Sequence, residues 1–425
     1  DWNDDKGFAP VGDFGNYFTG TFDGLGHVIK KLTIKNPVDS EGYAQDAGLF
    51  GAAEGASIQN VGLTDVDISG TLNDEYLATG GLAGYINSTY IKSSFVTGQV
   101  SGEDNVGGLV GYVDGSSVNN SYSTAGVYGK KSSETVGGLI GYFESPSSDF
   151  DGDIGIFHSY AAGPGNENTR LLVGTFGTVV PYDPSMGFYP ESVPKNLDHY
   201  KKVGFDISAD GNDDSVWRIY EGQSAPLLRV FMKKIQVTGQ ADTREYDGTT
   251  YVAISDLKFA DADDVKGVTF ASTGTGNGHY ADATADEDKT VTFSIKYKLA
   301  DGETDLHTIL QRYDFVEPKL TGTINKKALT ITADAASKTY GDTLTFDGTE
   351  FTADDLQNNE TIGSVTLTST GTDATADAGS YKITAKDATG GTFDAGNYSI
   401  TYADTGSLSV AKRDLTITAD NASKT

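Results

Sequence analysis

The phrase Gly-Leu-X-Gly recurs through the first third of the chain and constrains the fold more than any other feature. Its copies begin 33, 27 and 30 residues apart, at positions 48–51, 81–84, 108–111 and 138–141. A fixed phrase at a period of about 20–50 residues is typical of stacked structural repeats. Each unit is too short to bury its own apolar face, so neighbouring copies must shelter one another from water.

Each copy continues with two or three short stretches rich in β-formers, separated by Gly, Asn and Ser turns. Stacked at the ~4.8 Å spacing of paired strands, equivalent side chains would form ladders. Glycine permits the sharp corners and the close approach of successive coils. We therefore expect a right-handed β-solenoid in which one leucine of every copy lies on a common axis: Leu49, Leu82, Leu109 and Leu139.

Composition narrows the class of protein. The chain has 425 residues, with 53 glycines, only 10 prolines and no cysteine, so disulfides and thiolate metal sites are excluded. The net charge of −29 disfavours nucleic acid and anionic lipid as partners. No run of 18 apolar residues exists, so no membrane-spanning helix is predicted.

A second repeat begins near residue 232. Residues 328–339 return at 414–425 with ten of twelve positions identical, at a period of 86 residues. Alternating polar and apolar residues, as in 291–297 and 398–402, predict half-buried strands. Several such strands within about 90 residues favour an Ig-like sandwich, although the Cys–Trp–Cys core of antibody domains is missing.

These patterns predict an all-β chain: a right-handed β-solenoid (β-helix) followed by tandem Ig-like β-sandwich modules. The expected boundaries are 1–231 for the solenoid, 232–325 and 326–411 for two modules, and 412–425 for the start of a further, truncated repeat. We expect the natural protein to continue with more copies.

Two family resemblances follow from the motifs. The Gly-Leu-X-Gly copies, the opening at 20–27 (Gly-Thr-Phe-Asp-Gly-X-Gly-His) and the closing Trp217-X-Ile219 resemble GLUG-motif solenoids of large secreted adhesins, the filamentous-haemagglutinin-like exoproteins. The later modules, with Tyr-Asp-Gly at 246–248 and Tyr-Gly-Asp at 340–342, resemble bacterial Ig-like repeats of the YDG and MBG types. The resemblance implies an extracellular, secreted or cell-surface location.

Two acidic loops are candidate calcium sites, because calcium takes six to eight oxygen ligands in loops that often bend at glycine. Neither loop matches a complete EF-hand, and solvated acidic turns are the alternative. No other cofactor is predicted. The candidate ligands are Asp149, Asp151 and Asp153 in the first loop, and Asp206, Asp210, Asn212 and Asp214 in the second.

Tyr85, Tyr112 and Tyr142 follow the repeated phrase directly, so we expect them to align as a ladder. Such rings can pack against sugars, or they can simply set the register of the coils. Catalytic motifs are missing: no His-Glu-X-X-His and no Gly-X-Ser-X-Gly are present. Paired carboxylates of glycan-cleaving β-helices can arise by chance in so acidic a chain.

The sequence therefore favours a non-enzymatic fragment of an adhesin, a rod with spacer modules that attaches to glycans, matrix or another cell, host or bacterial. One alternative is a self-associating subunit of an extracellular filament or biofilm matrix. A second alternative is a glycan-active β-helix enzyme. Nucleic acid binding and membrane insertion are not expected.

Overall fold

The computed structural model describes residues 6–71, 77–129, 135–144, 154–163, 172–176, 187–188, 194–271, 278–300 and 302–421. The chain forms two compact units. The first comprises residues 1–237, 259–271 and 296–317, and the second comprises 238–258, 272–295 and 318–425. Residues of the predicted 232–325 module contribute to both units. Among the described residues, no helix has the length and apolar character needed to cross a membrane.

Short strands make up the solenoid: β1 Thr21–Asp23, β2 Val28–Lys30, β3 Thr33–Lys35, β4 Phe50–Glu54, β5 Ser57–Gln59, β6 Gly62–Ser69, β7 Thr79–Gly80, β8 Ala83–Asn87, β9 Tyr90–Lys92, β10 Phe95–Ser101, β11 Val106–Gly107, β12 Val110–Asp114, β13 Ser117–Asn119, β14 Tyr122–Ser123, β15 Gly126–Tyr128, β16 Val136–Gly137, β17 Ile140–Glu144, β18 Gly155–Phe157, β19 Tyr160–Ala161, β20 Val173–Phe176 and β21 Gly187–Phe188. They pair in parallel with the equivalent strands one coil away. The resulting sheets have the orders β1-β5-β9-β13-β18, β2-β6-β10-β14-β19-β21 with β15 on β10 and β3 on β6, β16-β11-β7, and β20-β17-β12-β8-β4.

The repeated leucines confirm the stacked-repeat prediction. Leu49, Leu82, Leu109 and Leu139 belong to one hydrophobic core, and the last three are completely buried. Backbone hydrogen bonds step along the same positions: Leu82 N–H donates to Leu109 C=O at 2.9 Å, and Leu109 N–H to Leu139 C=O at 2.8 Å. Each coil therefore buries the apolar residues of the next.

Glycine is required where coils come closest. A Cβ at Gly108 would lie 2.2 Å from Ser123 Oγ and 2.3 Å from the carbonyl oxygen of Gly138. Either separation is far inside van der Waals contact, so a side chain there would force the coils apart. The repeated glycines thus set the tight contact between neighbouring coils.

One corner of the solenoid turns through a left-handed residue in successive coils. These residues have φ between 47° and 56°: Asn60, Ser93, Asn120 and His158. In the last three of these coils the following residue is a buried serine, which caps the corner. Ser94, Ser121 and Ser159 each donate a hydroxyl hydrogen bond to the carbonyl two residues earlier.

The remainder of the first unit begins with α1 Leu197–Lys202, β22 Ile207–Ser208, β23 Trp217–Arg218, β24 Leu227–Leu228 and a 3-10 turn Arg229–Phe231. Asn196 caps α1 by accepting from the N–H of His199. β23 pairs in parallel with β22 and antiparallel with β24. These elements enclose a second core around Trp217, Ile219 and Tyr200.

The later elements are β25 Lys233–Ala241, β26 Arg244–Glu245, β27 Tyr251–Val252, β28 Ile254–Phe259, a 3-10 turn Ala262–Asp264, β29 Val268–Phe270, β30 Gly278–Tyr280, β31 Asp286–Phe293, β32 Tyr297–Leu299, α2 Leu306–Leu310, β33 Tyr313–Val316, β34 Leu320–Asn325, β35 Lys327–Ala333, β36 Ala336–Thr339, β37 Phe351–Asp354, β38 Ile362–Thr368, β39 Gly379–Lys382, β40 Thr384–Gly391, a 3-10 turn Ala395–Asn397, β41 Tyr398–Ala403 and β42 Ser407–Ala411. In the first unit β25 pairs in parallel with β33, and β29 antiparallel with β32. The second unit contains the sheets β26-β34-β31-β30-β27, β37-β35-β41, β36-β42-β39 and β38-β40.

The small sheets of the second unit are of the sandwich type and enclose one core. Alternating residues of β35 point inward, with Leu329, Ile331 and Ala333 buried. Together with the solenoid, these sheets confirm the predicted all-β class of a solenoid followed by sandwich-like modules.

Candidate binding surfaces

The predicted tyrosine ladder is present. Tyr85, Tyr112 and Tyr142 are register partners on β8, β12 and β17. Their ring centroids are 5.5 Å and 4.8 Å apart, and all three side chains are half-buried. Tyr17 extends the series, with its ring 6.3 Å from that of Tyr85. The alignment is confirmed, whereas carbohydrate binding by these rings stays a prediction.

Carboxylates accompany the tyrosines along the same strands. Asp114 accepts from the hydroxyl of Tyr85 at 3.3 Å and from the amide of Asn87 at 2.7 Å. Glu144 accepts from the hydroxyl of Tyr142 at 2.8 Å. Burial, followed by the nearby charge of Asp114, raises the pKa of Tyr85 to about 12. The phenol therefore stays protonated at neutral pH and serves as a hydrogen-bond donor.

The second acidic loop is held by hydrogen bonds within the protein. Asp206 accepts from the N–H of Val216 at 3.1 Å, and Asp210 accepts from Ser208 Oγ at 3.1 Å and from the N–H of Asn212 at 2.9 Å. Asp214 is exposed.

In the part of the chain that the structure describes, no group of three or more His, Cys, Asp or Glu residues is placed to hold a metal ion. Asp149, Asp151 and Asp153 lie outside the described residues. Calcium binding by either loop stays a prediction.

A second aromatic ladder is buried, and the sequence analysis did not predict it. The rings of Phe95, Tyr122 and Tyr160 stack with centroids 5.0 Å apart and with planes within 5° of parallel. Trp217 packs against it, 6.1 Å from Tyr122. The signal available was positional, because Phe95 and Tyr122 each follow the repeated leucine by 13 residues. The Trp-X-Ile segment therefore covers the flank of the solenoid.

Two arginines join elements of the first unit, Arg218 buried and Arg229 partly buried. Arg229 makes two hydrogen bonds to a single carboxylate oxygen of Asp314, at 2.9 and 2.7 Å. Arg218 is completely buried, lies 3.3 Å from the other oxygen of Asp314 and stacks on the ring of Tyr220 at 4.2 Å. Sharing one carboxylate between two guanidinium groups ties β33 to the segment that follows α1. Sequence reasoning missed this cluster because Asp314 lies 85 and 96 residues along the chain from its two arginines.

The first unit also contains an open cavity of about 490 Å³. Solenoid residues form one wall, and the other comes from the segments around 214–216 and 229–234, together with Asp314. No motif indicated it, since its walls meet only in the folded chain.

In the second unit, one carboxylate accepts hydrogen bonds from two tyrosines. Glu360 is bonded to the hydroxyl of Tyr246 at 2.6 Å and to that of Tyr398 at 2.5 Å. The two rings meet edge to face, with centroids 5.5 Å apart. Burial, followed by the bond to Glu360, raises the pKa of Tyr398 to about 12. Both phenols therefore remain donors across the physiological pH range.

Comparison with protein families identifies both later modules. Residues 232–306 match the model of the YDG domain, and residues 329–409 match the MBG domain of the YGX type. The chain carries a YDG domain and an MBG domain. Both are repeat domains of large bacterial surface proteins. The GLUG resemblance has no specific family match, and it rests on the repeated motifs and on the solenoid that they form.

A curated relative extends the comparison. Halomucin from Haloquadratum walsbyi (strain DSM 16790 / HBSQ001) is 38% identical over 109 residues. The match covers 25% of this chain but only 1% of Halomucin, so that protein is about a hundred times longer than the matched segment. No solved structure matches the chain.

The cluster of Tyr246, Tyr398 and Glu360 joins residues of the two domains. Tyr246 begins the Tyr-Asp-Gly signature of the YDG domain, while Glu360 and Tyr398 belong to the MBG domain. The side-chain oxygen of Asn397 also accepts from the N–H of Ala285, at 2.9 Å. The YDG signature therefore contacts the neighbouring MBG domain directly.

Proposed function

We propose that this chain is a non-enzymatic attachment region of a secreted or surface-attached bacterial protein. The observation that carries the proposal is the half-buried ladder on the solenoid, in which Tyr85, Tyr112 and Tyr142 lie in register on three successive coils and Asp114 and Glu144 lie in register on two of them. A regular array of this kind presents the same weak contact several times. Linked weak contacts gain avidity because each later contact forms at a high effective concentration.

The YDG and MBG domains are assigned the role of spacers. They share one hydrophobic core, and the bonds of Glu360 and Asn397 link them. A shared core makes adjacent domains behave as a stiff pair rather than as beads on a flexible linker. The match to a segment of Halomucin supports a place within a very long protein.

The attachment proposal is tested with beads coated with the full chain. We expect them to adhere to at least one class of extracellular polysaccharide or bacterial surface, and Tyr85→Ala with Tyr112→Ala to reduce retention severalfold. Tyr128→Ala, which removes an exposed tyrosine on β15, in a different sheet from the ladder, is the matched control. Beads that adhere to nothing across a broad glycan and cell panel would contradict the proposal.

A separate experiment tests the proposal that the chain has no enzymatic activity. The chain is incubated with a panel of polysaccharides, and reducing ends and unsaturated products are measured. We expect no release above that from heat-denatured protein. Sustained release would replace the proposal with the glycan-active alternative.

Self-association into a filament or matrix is a second candidate, and one observation favours it. The first coil exposes large apolar side chains, with Phe14, Leu25 and Tyr43 between 67% and 77% exposed. Where such side chains form a contiguous patch, the patch is a common site of protein association. Negative-stain images with ordered polymers would support this role, whereas isolated particles at high concentration would favour attachment alone.

A further inference from the structure

The cavity of the first unit has the size of a ligand site. Its volume of about 490 Å³ lies within the range of ~300–1,000 Å³ found for small-molecule sites. Its lining combines apolar side chains with amides, hydroxyls and charged groups. Recognition of a polar ligand needs this combination of a shaped apolar surface and a few fixed polar groups.

The solenoid wall is held in place. Gln59 and Lys92 are register partners one coil apart on β5 and β9. Asp23, on the preceding coil, accepts from the amide of Gln59 at 2.8 Å and from that of Asn60 at 3.0 Å. Both amides are thereby oriented through their N–H groups. Among the described residues no donor reaches their side-chain carbonyl oxygens, which are available to accept from ligand hydroxyls.

Some of the charged side chains that line the cavity form ion pairs, and others do not. Arg229 and Asp314 neutralise each other through their paired hydrogen bonds. Lys92 and Lys234 are exposed, and neither has an ion-pair partner in the described part of the chain. Of the two carboxylates that line the cavity, Asp214 makes no salt bridge to a described residue, whereas Asp314 is paired with Arg229. The unpaired groups therefore leave an excess of one positive charge in a chain whose net charge is −29.

Apolar groups complete the site. Val216, Val230 and Met232 line the cavity beside the polar groups. Apolar side chains suit the C–H faces of a pyranose ring, amide and hydroxyl groups suit its hydroxyls, and an ammonium group suits an anionic substituent.

We propose that this cavity binds a sugar residue that carries one anionic substituent, a carboxylate or a sulfate, within an extracellular polysaccharide. The proposal rests on the proposed function in taking the ligand to be an extracellular glycan. Lys92 and Lys234 contact the anionic group, while Gln59 and Asn60 accept from ring hydroxyls. The acidic remainder of the surface disfavours long polyanions such as nucleic acid, so a single local charge in a short segment is selected.

The experiment is isothermal titration of the full chain with three tetrasaccharides: a galacturonate, a sulfated galactan and a neutral maltotetraose. We expect at least one anionic sugar to bind and the neutral sugar to bind at least tenfold more weakly. Replacing Lys92→Gln and Lys234→Gln is expected to weaken binding by about tenfold each, because each removes a charge-assisted contact. Lys30→Gln is the matched control, since Lys30 is exposed on the solenoid but does not line the cavity.

The outcomes separate this site from the attachment proposal. Binding by the anionic sugar that is lost in the double lysine variant but kept in Lys30→Gln supports the site, and which sugar binds distinguishes carboxylate from sulfate. No binding, equal binding of the neutral sugar, or binding unchanged in the double variant overturns it. If coated beads still adhere in that case, the attachment proposal stands without this cavity. If a tetrasaccharide binds but coated beads adhere to nothing, the result supports the cavity as a sugar site and contradicts the attachment proposal.

Discussion

Arg218 shows how a charged residue becomes buried in the first unit. Its guanidinium donates to the carbonyl oxygens of Ile219 at 2.6 Å and Phe315 at 3.1 Å, and it lies 3.3 Å from Asp314. Glu317 is 3.9 Å away and mostly buried. Removing one partner of such a cluster leaves an uncompensated buried charge, which is strongly destabilising. The charge of Arg218 is tolerated in the interior because carbonyl and carboxylate partners surround it.

Glu317 is expected to make the stability of the first unit depend on pH. Burial raises the pKa of its carboxyl group to about 7, although the charge of Arg218 opposes the shift. The folded state thus holds the proton more tightly than the unfolded chain, whose carboxyl titrates near ~4.3. The contribution of Glu317 to the free energy of unfolding is therefore fully present below a pH of ~4.3. It is lost as the pH rises to about 7, and the loss is on the order of 3 kcal/mol.

Glu317→Gln should flatten the dependence of the unfolding free energy on pH between 5 and 7 and should stabilise the protein at pH 8. Urea denaturation at pH 5, 6, 7 and 8 measures this dependence. Glu303→Gln, at an exposed position, is the control and should follow the parent. Parallel curves for Glu317→Gln and the parent would show that burial does not shift this group.

At the scale of elements, coils of the solenoid are joined by serine hydroxyls as well as by strand pairing. Ser121 Oγ accepts from the N–H of Ser94 at 3.2 Å, and Ser159 Oγ accepts from the N–H of Ser121 at 3.1 Å. All three serines are completely buried. The ladder satisfies backbone groups at a corner where strand pairing is interrupted, which lets the chain turn sharply without orphaned donors.

Ser121→Ala is expected to lower the unfolding free energy by about 1–3 kcal/mol, because it leaves the buried N–H of Ser94 without an acceptor. Chemical denaturation followed by circular dichroism measures the loss. Ser40→Ala, at an exposed turn, should change stability by no more than about 0.5 kcal/mol. Equal stability of both variants would mean that water or a shifted backbone replaces the serine.

The junction of the YDG and MBG domains is also an element-scale feature. Tyr246→Phe and Tyr398→Phe each remove one donor to Glu360, and each should cost about 1.5–3 kcal/mol, since these bonds go to a charged acceptor. The double variant should lose less than the sum, because both bonds share one carboxylate. Denaturation of the four-member cycle measures the coupling, with Tyr251→Phe, an exposed position, as control. Strict additivity would contradict coupling through Glu360.

At the scale of the whole molecule, charge is the dominant property. A net charge of −29 places the folded chain under self-repulsion, which salt screens over a Debye length of about 8–10 Å at physiological strength. Excess negative charge also keeps a long repeat protein soluble. On the same ground we propose that nucleic acid and anionic vesicles are unfavourable partners at physiological salt.

The melting temperature should therefore rise between 10 mM and 300 mM sodium chloride. Calcium and magnesium chloride at equal ionic strength separate screening from specific binding. Equal melting temperatures in the two divalent salts would argue against the calcium loops, whereas a higher value in calcium would support them. A melting temperature that falls with sodium chloride would contradict self-repulsion as the main electrostatic effect on stability.

The sequence alone determined the class of fold and the stacking of Leu49, Leu82, Leu109 and Leu139, because a solenoid repeats its contacts at a fixed spacing along the chain. It also placed Tyr85, Tyr112 and Tyr142 in register for the same reason. Local periodicity carries all of this information.

Only the tertiary structure decided which distant residues meet. Arg218 with Asp314, Tyr246 with Glu360, and the walls of the cavity join segments separated by tens to more than a hundred residues, with no repeat to signal the pairing. Such contacts depend on where loops return to the core, and that is set by the sum of many packing interactions rather than by any local pattern.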